Sequence, residues 1–216
     1  MAASADVLLV EDHELVRDAL GIALQLAGLH VVVATDLTTE GVVDLARQVR
    51  PAVVLLDYFL DGGVDSLPMI GPLAQLGGRV LVLTGADDPE VWGACLLAGA
   101  AGVLDKSGGL DALIDRVRAV QHGEPAMAEG DRERLIAEAR VAQSRQTELL
   151  QPFGRLTPKE AAMLRQLVAG RTPEDIARDE YISLTTVRNH LGAVLDKLGV
   201  NSLLAAVSLA RQSDWA

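Results

Sequence analysis

The sequence predicts an α/β domain built on a doubly wound, five-stranded parallel sheet, followed by a small all-α domain of four helices. Three observations carry this. Short apolar runs alternate with amphipathic helical stretches five times before residue 122. The central run, Val53-Val54-Leu55-Leu56, has no polar break and stops at Asp57, as expected of a strand buried on both faces. After Pro152 the strand signals vanish and only helix signals remain.

The elements follow in order. Asp6–Val10 reads as the first strand, ending at Glu11-Asp12. His13–Ala27 is helical, with Leu15, Ala19, Ile22, Ala23 and Leu26 on one face and Gly28 as the stop. His30–Ala34 is the second strand, and Thr38–Arg50 the second helix, ended by Pro51. The strand closing at Asp57 leads through Asp61-Gly62-Gly63-Val64-Asp65 to a helix from Leu67 to Leu76. Val80–Thr84 is the fourth strand; Asp88-Pro89 opens a helix ending near Gly99, with Pro where its missing N–H costs nothing. Gly102–Lys106 is the fifth strand and Leu110–His122 the fifth helix. Strict alternation of this kind predicts the doubly wound sheet.

Residues 123–154 change character. Asp131–Leu150 is rich in Arg, Glu, Gln and Ala, with a thin apolar stripe of Leu135, Ile136, Ala139 and Ala142, and reads as a helical linker. In the last part, Thr157-Pro158-Lys159-Glu160 has the form of a capping box, and Thr172-Pro173-Glu174-Asp175 repeats it. Ser183 caps a third helix that Gly199 ends, and Ser202 caps a fourth that runs to about Arg211. The boundaries expected are 1–122, 123–154 and 155–216.

The net charge of −11 is unevenly spread. Residues 1–125 hold 18 acidic against 7 basic side chains, whereas residues 155–216 hold 7 against 8. Two modules with different partners explain the split, and the near-neutral second one argues against strong nonspecific nucleic-acid binding. A single cysteine, Cys95, excludes an intrachain disulfide and reads as a packed helix residue. No secretory signal and no membrane-length apolar run are visible, so a cytoplasmic protein with no membrane partner is expected. Aromatics make up 3%, too few for a single-strand stacking platform.

A doubly wound sheet brings its strand carboxyl ends to one edge. That edge gathers Glu11, Asp12, Asp57, Thr84 and Lys106, with Asp57 expected at the mouth of a crevice rather than in the core. Each has a plain reading as a cap, a strand end or a surface lysine. Together they form the apparatus of phosphoryl transfer: converging carboxylates suit Mg²⁺, Asp57 can act as nucleophile, and a hydroxyl and an ammonium can stabilise phosphoryl oxygens.

With those residues in place, residues 6–122 resemble the receiver domain of two-component response regulators. The resemblance implies Asp57 as phosphoacceptor, Asp12 as a direct Mg²⁺ ligand, Glu11 acting mostly through water, and the backbone carbonyl of Phe59 as a further ligand. It implies Thr84 and Lys106 on the phosphoryl oxygens and a sensor histidine kinase as donor. Two positions depart from the family pattern: Val103 stands where an aromatic is usual, and Asp61 replaces the proline usual after the acceptor.

Residues 155–211 resemble the LuxR-type helix-turn-helix of the NarL/FixJ subfamily, through Leu156–Glu160, Ile176-Ala177, Ser183, Thr186–Leu191 and Lys197–Val200. In Leu184–Leu198 an apolar face of Val187, Leu191, Val194, Leu195 and Leu198 opposes Thr185, Arg188, Asn189 and Gly192. Arg suits guanine and Asn suits adenine in the major groove; Lys197 and Arg178 are candidates for phosphates. His190 reads as a packing residue rather than a metal ligand. Dimerisation is expected through the last helix, with Leu204, Val207 and Leu209 as candidates.

The expected function is a DNA-binding transcriptional regulator, not an enzyme, controlled by phosphorylation of Asp57 and forming a homodimer on activation. The alternative is an atypical receiver controlled by a partner independently of phosphate, which Val103 and Asp61 favour. A haloacid-dehalogenase-like phosphatase is disfavoured, because Phe59 stands where its second Asp would be.

Overall fold

A computed structural model describes residues 5–60, 64–85 and 88–215. Asp61, one of the two departures above, lies outside them. The chain divides into two compact units, Met1–Val141 and Ala142–Ala216.

In the first unit, β1 (Val7–Val10), α1 (Glu14–Leu26), β2 (Val31–Val33), α2 (Thr39–Val49) and β3 (Val53–Asp57) come first. A two-stranded antiparallel hairpin follows, β4 (Phe59–Leu60) with β5 (Val64–Asp65), which the sequence pattern did not signal. Then come α3 (Leu67–Gln75), β6 (Arg79–Thr84), α4 (Pro89–Leu97), β7 (Gly102–Asp105) and α5 (Leu110–Gln121). The main sheet is parallel with strand order β2-β1-β3-β6-β7, so β3 is central.

Alternation along the strands builds a core on each face. Leu8, Val10, Val54, Leu56, Val80 and Val82 join Val42, Ile70 and Cys95 of α2, α3 and α4. Val7, Leu9, Val53, Leu55, Leu81 and Leu83 join Leu24 of α1 and Val117 of α5. Cys95 is fully buried.

The apolar face recognised in α1 is not the one that packs. Leu20, Gly21 and Leu24 are buried, while Leu15, Ile22 and Leu26 are exposed, Leu15 by 86% and Leu26 by 84%. Two apolar stripes run along this helix, and the sheet takes the one with fewer members.

The helix α6 (Glu129–Leu150) begins in the first unit, where Leu135 and Ala139 are buried. It crosses α4 at Gly93: a Cβ added there would lie 2.5 Å from the Ala139 Cβ and 2.6 Å from the Leu135 carbonyl oxygen. Gly93→Ala gains about 1 kcal/mol of helix propensity but overpacks at a cost of about 2 kcal/mol. The variant is therefore expected to be less stable in urea than the parent, against the usual direction for Gly→Ala in a helix.

The second unit holds α7 (Pro158–Val168), α8 (Pro173–Asp179), α9 (Leu184–Leu198) and α10 (Leu203–Gln212). Both capping boxes form, at Thr157/Glu160 and Thr172/Asp175. Ser183 and Ser202 accept the N–H groups of Thr186 and Ala205. Among the described residues, no single helix is long and apolar enough to cross a membrane.

Candidate functional sites: an acidic pocket and an exposed helix face

β1 and β3 are adjacent, with Val10 opposite Leu56, so Glu11 and Asp57 emerge side by side. β6 delivers Thr84 next to Asp105 of β7. The Asp105 carboxylate accepts the Ser107 N–H at 2.8 Å and caps a short 3-10 turn, Lys106–Gly108, which fixes where Lys106 leaves the strand. Lys106 Nζ donates to Asp57 Oδ2 and to Glu11 Oε2, each at 2.8 Å. Thr84 is buried at the end of β6. Phe59 lies on the hairpin two residues past Asp57, its side chain half exposed.

Asp57 sits deeper than a crevice-mouth residue. It is 3% exposed, because Lys106 and the strand ends close over it. Burial pushes its carboxyl up to about 6; the Lys106 hydrogen bond works against this, and the Glu11 charge adds to it. Burial alone would lower Lys106, but the hydrogen bonds its ammonium donates to Asp57 and Glu11 outweigh that and hold it above its ordinary value.

His13 joins this cluster without a motif in the sequence to announce it. His13 Nδ1 lies 3.2 Å from Asp12 Oδ1 and 3.3 Å from Glu11 Oε1, and the Asp12 charge raises its pKa. Glu11, Asp12, His13 and Asp57 each offer one ligand atom, and these atoms lie within 4.8 Å of one another. The three carboxylates of this set suit a hard divalent cation, which takes oxygen ligands. The only signal for His13 in the sequence was its position directly after Asp12.

In the second unit, Val187, Leu191, Val194 and Leu198 are buried, as the periodicity of α9 predicted. Thr185, Arg188 and Asn189 are exposed together, and the space where a Gly192 Cβ would stand is open. Arg188 makes a loose surface pair with Glu174, 3.4 Å. Arg178 is exposed and paired with Asp175.

Lys197 is not brought to that face. It lies nine residues from Arg188, two and a half turns on, which is the opposite side of the helix. Its Nζ donates to Glu160 Oε2 at 2.6 Å, and the same oxygen accepts the Thr157 N–H at 2.8 Å. Glu160 is thus both the capping-box acid of α7 and the tie to α9. Spacing within one helix gave no hint of a partner 37 residues away.

Lys197 and the Thr157 N–H hold the Glu160 carboxyl below its ordinary value of 4.5. A depressed pKa contributes stability that is present above the ordinary value and lost as pH falls through the folded one. Glu160→Gln is expected to cost about 1 kcal/mol at neutral pH and to remove this part of the acid sensitivity. Urea unfolding at neutral pH and in acid measures both.

His190 is half buried. Of the three candidates for dimerisation, Leu204 is 80% exposed, while Val207 and Leu209 pack on the unit's own core.

Residues 7–118 match the response regulator receiver domain family, and residues 155–210 match the bacterial regulatory proteins of the luxR family. A nitrate/nitrite response regulator protein homolog of Haemophilus influenzae is 31% identical, covering 94% of each chain. The chain is a response regulator with a LuxR-type DNA-binding domain. It is a transcription regulator by that membership. This response regulator is also 27% identical to the transcriptional regulatory protein DesR of Bacillus subtilis, over 97% of this chain and 98% of that one. In fold it resembles RcsB of Salmonella enterica serovar Typhimurium in a promoter-bound structure, with TM-score 0.51 and 21% identity over 95% and 97% of the two chains.

Proposed function

We propose that this response regulator is switched by phosphorylation of Asp57 from a sensor histidine kinase, and that the switch changes how α9 engages double-stranded DNA. The observation that carries the reading is the double hydrogen bond from Lys106 to Asp57 and Glu11 in a buried acidic pocket.

Asp57 Oδ is the nucleophile toward the phosphoryl phosphorus: an O–P bond forms as the P–N bond to the kinase histidine breaks, and the imidazole leaves with the electron pair and takes up a proton. Lys106 already touches one oxygen of Asp57, so its ammonium is the protein cation assigned to the oxygens of an incoming phosphoryl group. The Thr84 hydroxyl, at the end of the neighbouring strand, is the second donor for them. Glu11, Asp12 and Asp57, with the Phe59 carbonyl, would hold Mg²⁺. That ion supplies neutralisation of charge on the phosphoryl oxygens. Burial matters to each of these contacts, since charge pairs act more strongly where water is excluded.

On the DNA side, Thr185, Arg188, Asn189 and Gly192 form the reading surface, with Arg188 toward guanine and Asn189 toward adenine. Lys197 is assigned to holding α9 on α7 rather than to phosphate. A homodimer reading two half-sites follows from the helix-turn-helix geometry, with Leu204 as its exposed apolar contact.

The test is incubation of the full chain with acetyl phosphate and Mg²⁺. Intact mass is expected to rise by one phosphoryl group, Asp57→Asn to abolish the rise, and peptide mapping to place the group on residue 57. Modification elsewhere, or none, rejects the proposal.

A further inference from the structure

Helices in this chain stop in one recurrent way. After α1, α4, α5, α7 and α9 comes a glycine with positive φ: Gly28, Gly99, Gly123, Gly170 and Gly199. The glycine N–H bonds back three residues and the next N–H bonds back five, as Gly170 to Leu167 at 2.9 Å and Arg171 to Gln166 at 3.0 Å. The stop demands left-handed backbone, which glycine adopts freely and a residue with a Cβ adopts under strain.

α8 ends with the same pair of bonds, Tyr181 to Arg178 at 3.3 Å and Ile182 to Ala177 at 3.0 Å. Here the left-handed residue is Tyr181, φ 54°. Asp214 takes this place after α10, but a short Asp tolerates the conformation. Arg50 also has positive φ, yet it closes α2 through an ordinary bond to Ala46. An aromatic at this stop is out of keeping with the rest of the chain.

The fold gains nothing visible from the ring. Tyr181 is 96% exposed, whereas the neighbouring Ile182 turns inward against the cluster of Met163, Ile176, Val187 and Leu191. The strained, fully presented side chain stands two residues before Ser183, the N-cap of α9, on the approach to Thr185, Arg188 and Asn189.

We infer that Tyr181 is a contact to the DNA backbone: its hydroxyl donates to a phosphate oxygen beside the groove that α9 reads, and its ring lies along the adjoining sugar. The inference rests on α9 being the recognition helix. Residues leading into a recognition helix are near the phosphates, and contacts there set register without reading sequence. A neutral donor also suits this module. With 8 basic and 7 acidic residues after residue 154, it has little net charge to draw DNA by attraction alone.

The test uses the full chain carrying Tyr181→Gly, Tyr181→Phe or Arg188→Ala. Binding is measured by anisotropy, at two salt concentrations, to the best duplex from an in vitro selection and to a scrambled duplex of equal length. Thermal unfolding is followed in parallel. Tyr181→Gly relieves the backbone and is expected to raise the unfolding midpoint of the helical unit by a few degrees. It is also expected to weaken both duplexes about tenfold, leaving their ratio and the salt slope unchanged. Tyr181→Phe is expected to keep the parental midpoint and lose about threefold in binding. A more stable Tyr181→Gly that binds both duplexes as well as the parent overturns the inference, and so does a change in the ratio between the duplexes. Arg188→Ala separates the two readings. If it leaves the ratio intact, the assignment of α9 as reader fails and the Tyr181 inference falls with it; if it lowers the ratio while Tyr181→Gly binds both duplexes like the parent, α9 stands as reader and the Tyr181 contact alone fails.

Discussion

Lys106→Met is expected to destabilise the first unit by about 2 kcal/mol in buffer free of divalent cations. Lys106 bridges two carboxylates that are almost wholly enclosed. Removing it leaves Glu11 and Asp57 facing each other with no cation, and breaking a buried pair is more costly than never having made it. The figure is set below the usual range for buried pairs because the lysine side chain is itself 29% exposed. Millimolar Mg²⁺ is expected to restore most of the loss, since a cation held by Glu11, Asp12 and Asp57 relieves the same repulsion. Urea unfolding with and without Mg²⁺ measures both effects. Destabilisation that Mg²⁺ leaves untouched would mean that the pocket does not take the ion. On the proposed function the substitution also removes a donor to the phosphoryl oxygens, so the phosphorylated state is expected to signal poorly to the DNA-binding unit.

Arg188→Ala is expected to cost about 1–3 kcal/mol of binding to the preferred sequence, and to relax preference for guanine at one position of each half-site. The surface pair with Glu174 does not oppose this, because an exposed pair at 3.4 Å is worth little and opens readily. Lys197→Ala is the informative contrast. Its ammonium serves Glu160, so its loss is expected to lower the stability of the helical unit rather than to change base preference. Binding measured across single-base variants of the selected duplex distinguishes a lost base contact from a uniformly weakened domain.

The alternation of strands and helices was legible because each element carries its own period. The continuous apolar run of β3 could only belong to a strand covered on both faces, and Val53–Leu56 are buried as that requires. The pocket was legible for the same reason: parallel strands send their carboxyl ends to one edge, and Glu11, Asp57 and Lys106 meet there, with Thr84 at the end of the adjoining strand. What lies between elements was not legible. Which stripe of α1 meets the sheet depends on how the chain enters and leaves it, and the stripe of Leu15, Ala19, Ile22, Ala23 and Leu26 has more members than the Leu20, Gly21 and Leu24 that pack. The depth of Asp57 depends on Lys106 folding back over it. Where the Lys197 ammonium is held depends on a glutamate in a different helix. A helical wheel gives residue directions but not what waits there.

Val103 stands where the resemblance to receiver domains implies an aromatic. It is buried in the cluster that also holds Cys95, Ala100 and Leu135 of α6. A small β-branched side chain there fills the core without the volume of an aromatic. The tight joint of α4 on α6 through Gly93 and Ala139 lies in the same unit, so the beginning of α6 belongs physically to the fold that bears Asp57.

The account turns on Asp57 governing DNA engagement. The most direct measurement is the affinity of the full chain for its selected duplex, before and after treatment with acetyl phosphate and Mg²⁺, beside Asp57→Asn treated alike. Treatment is expected to tighten binding by the parent and to leave Asp57→Asn unmoved. Equal affinities in all four samples, with phosphorylation of the parent verified by mass, would contradict it.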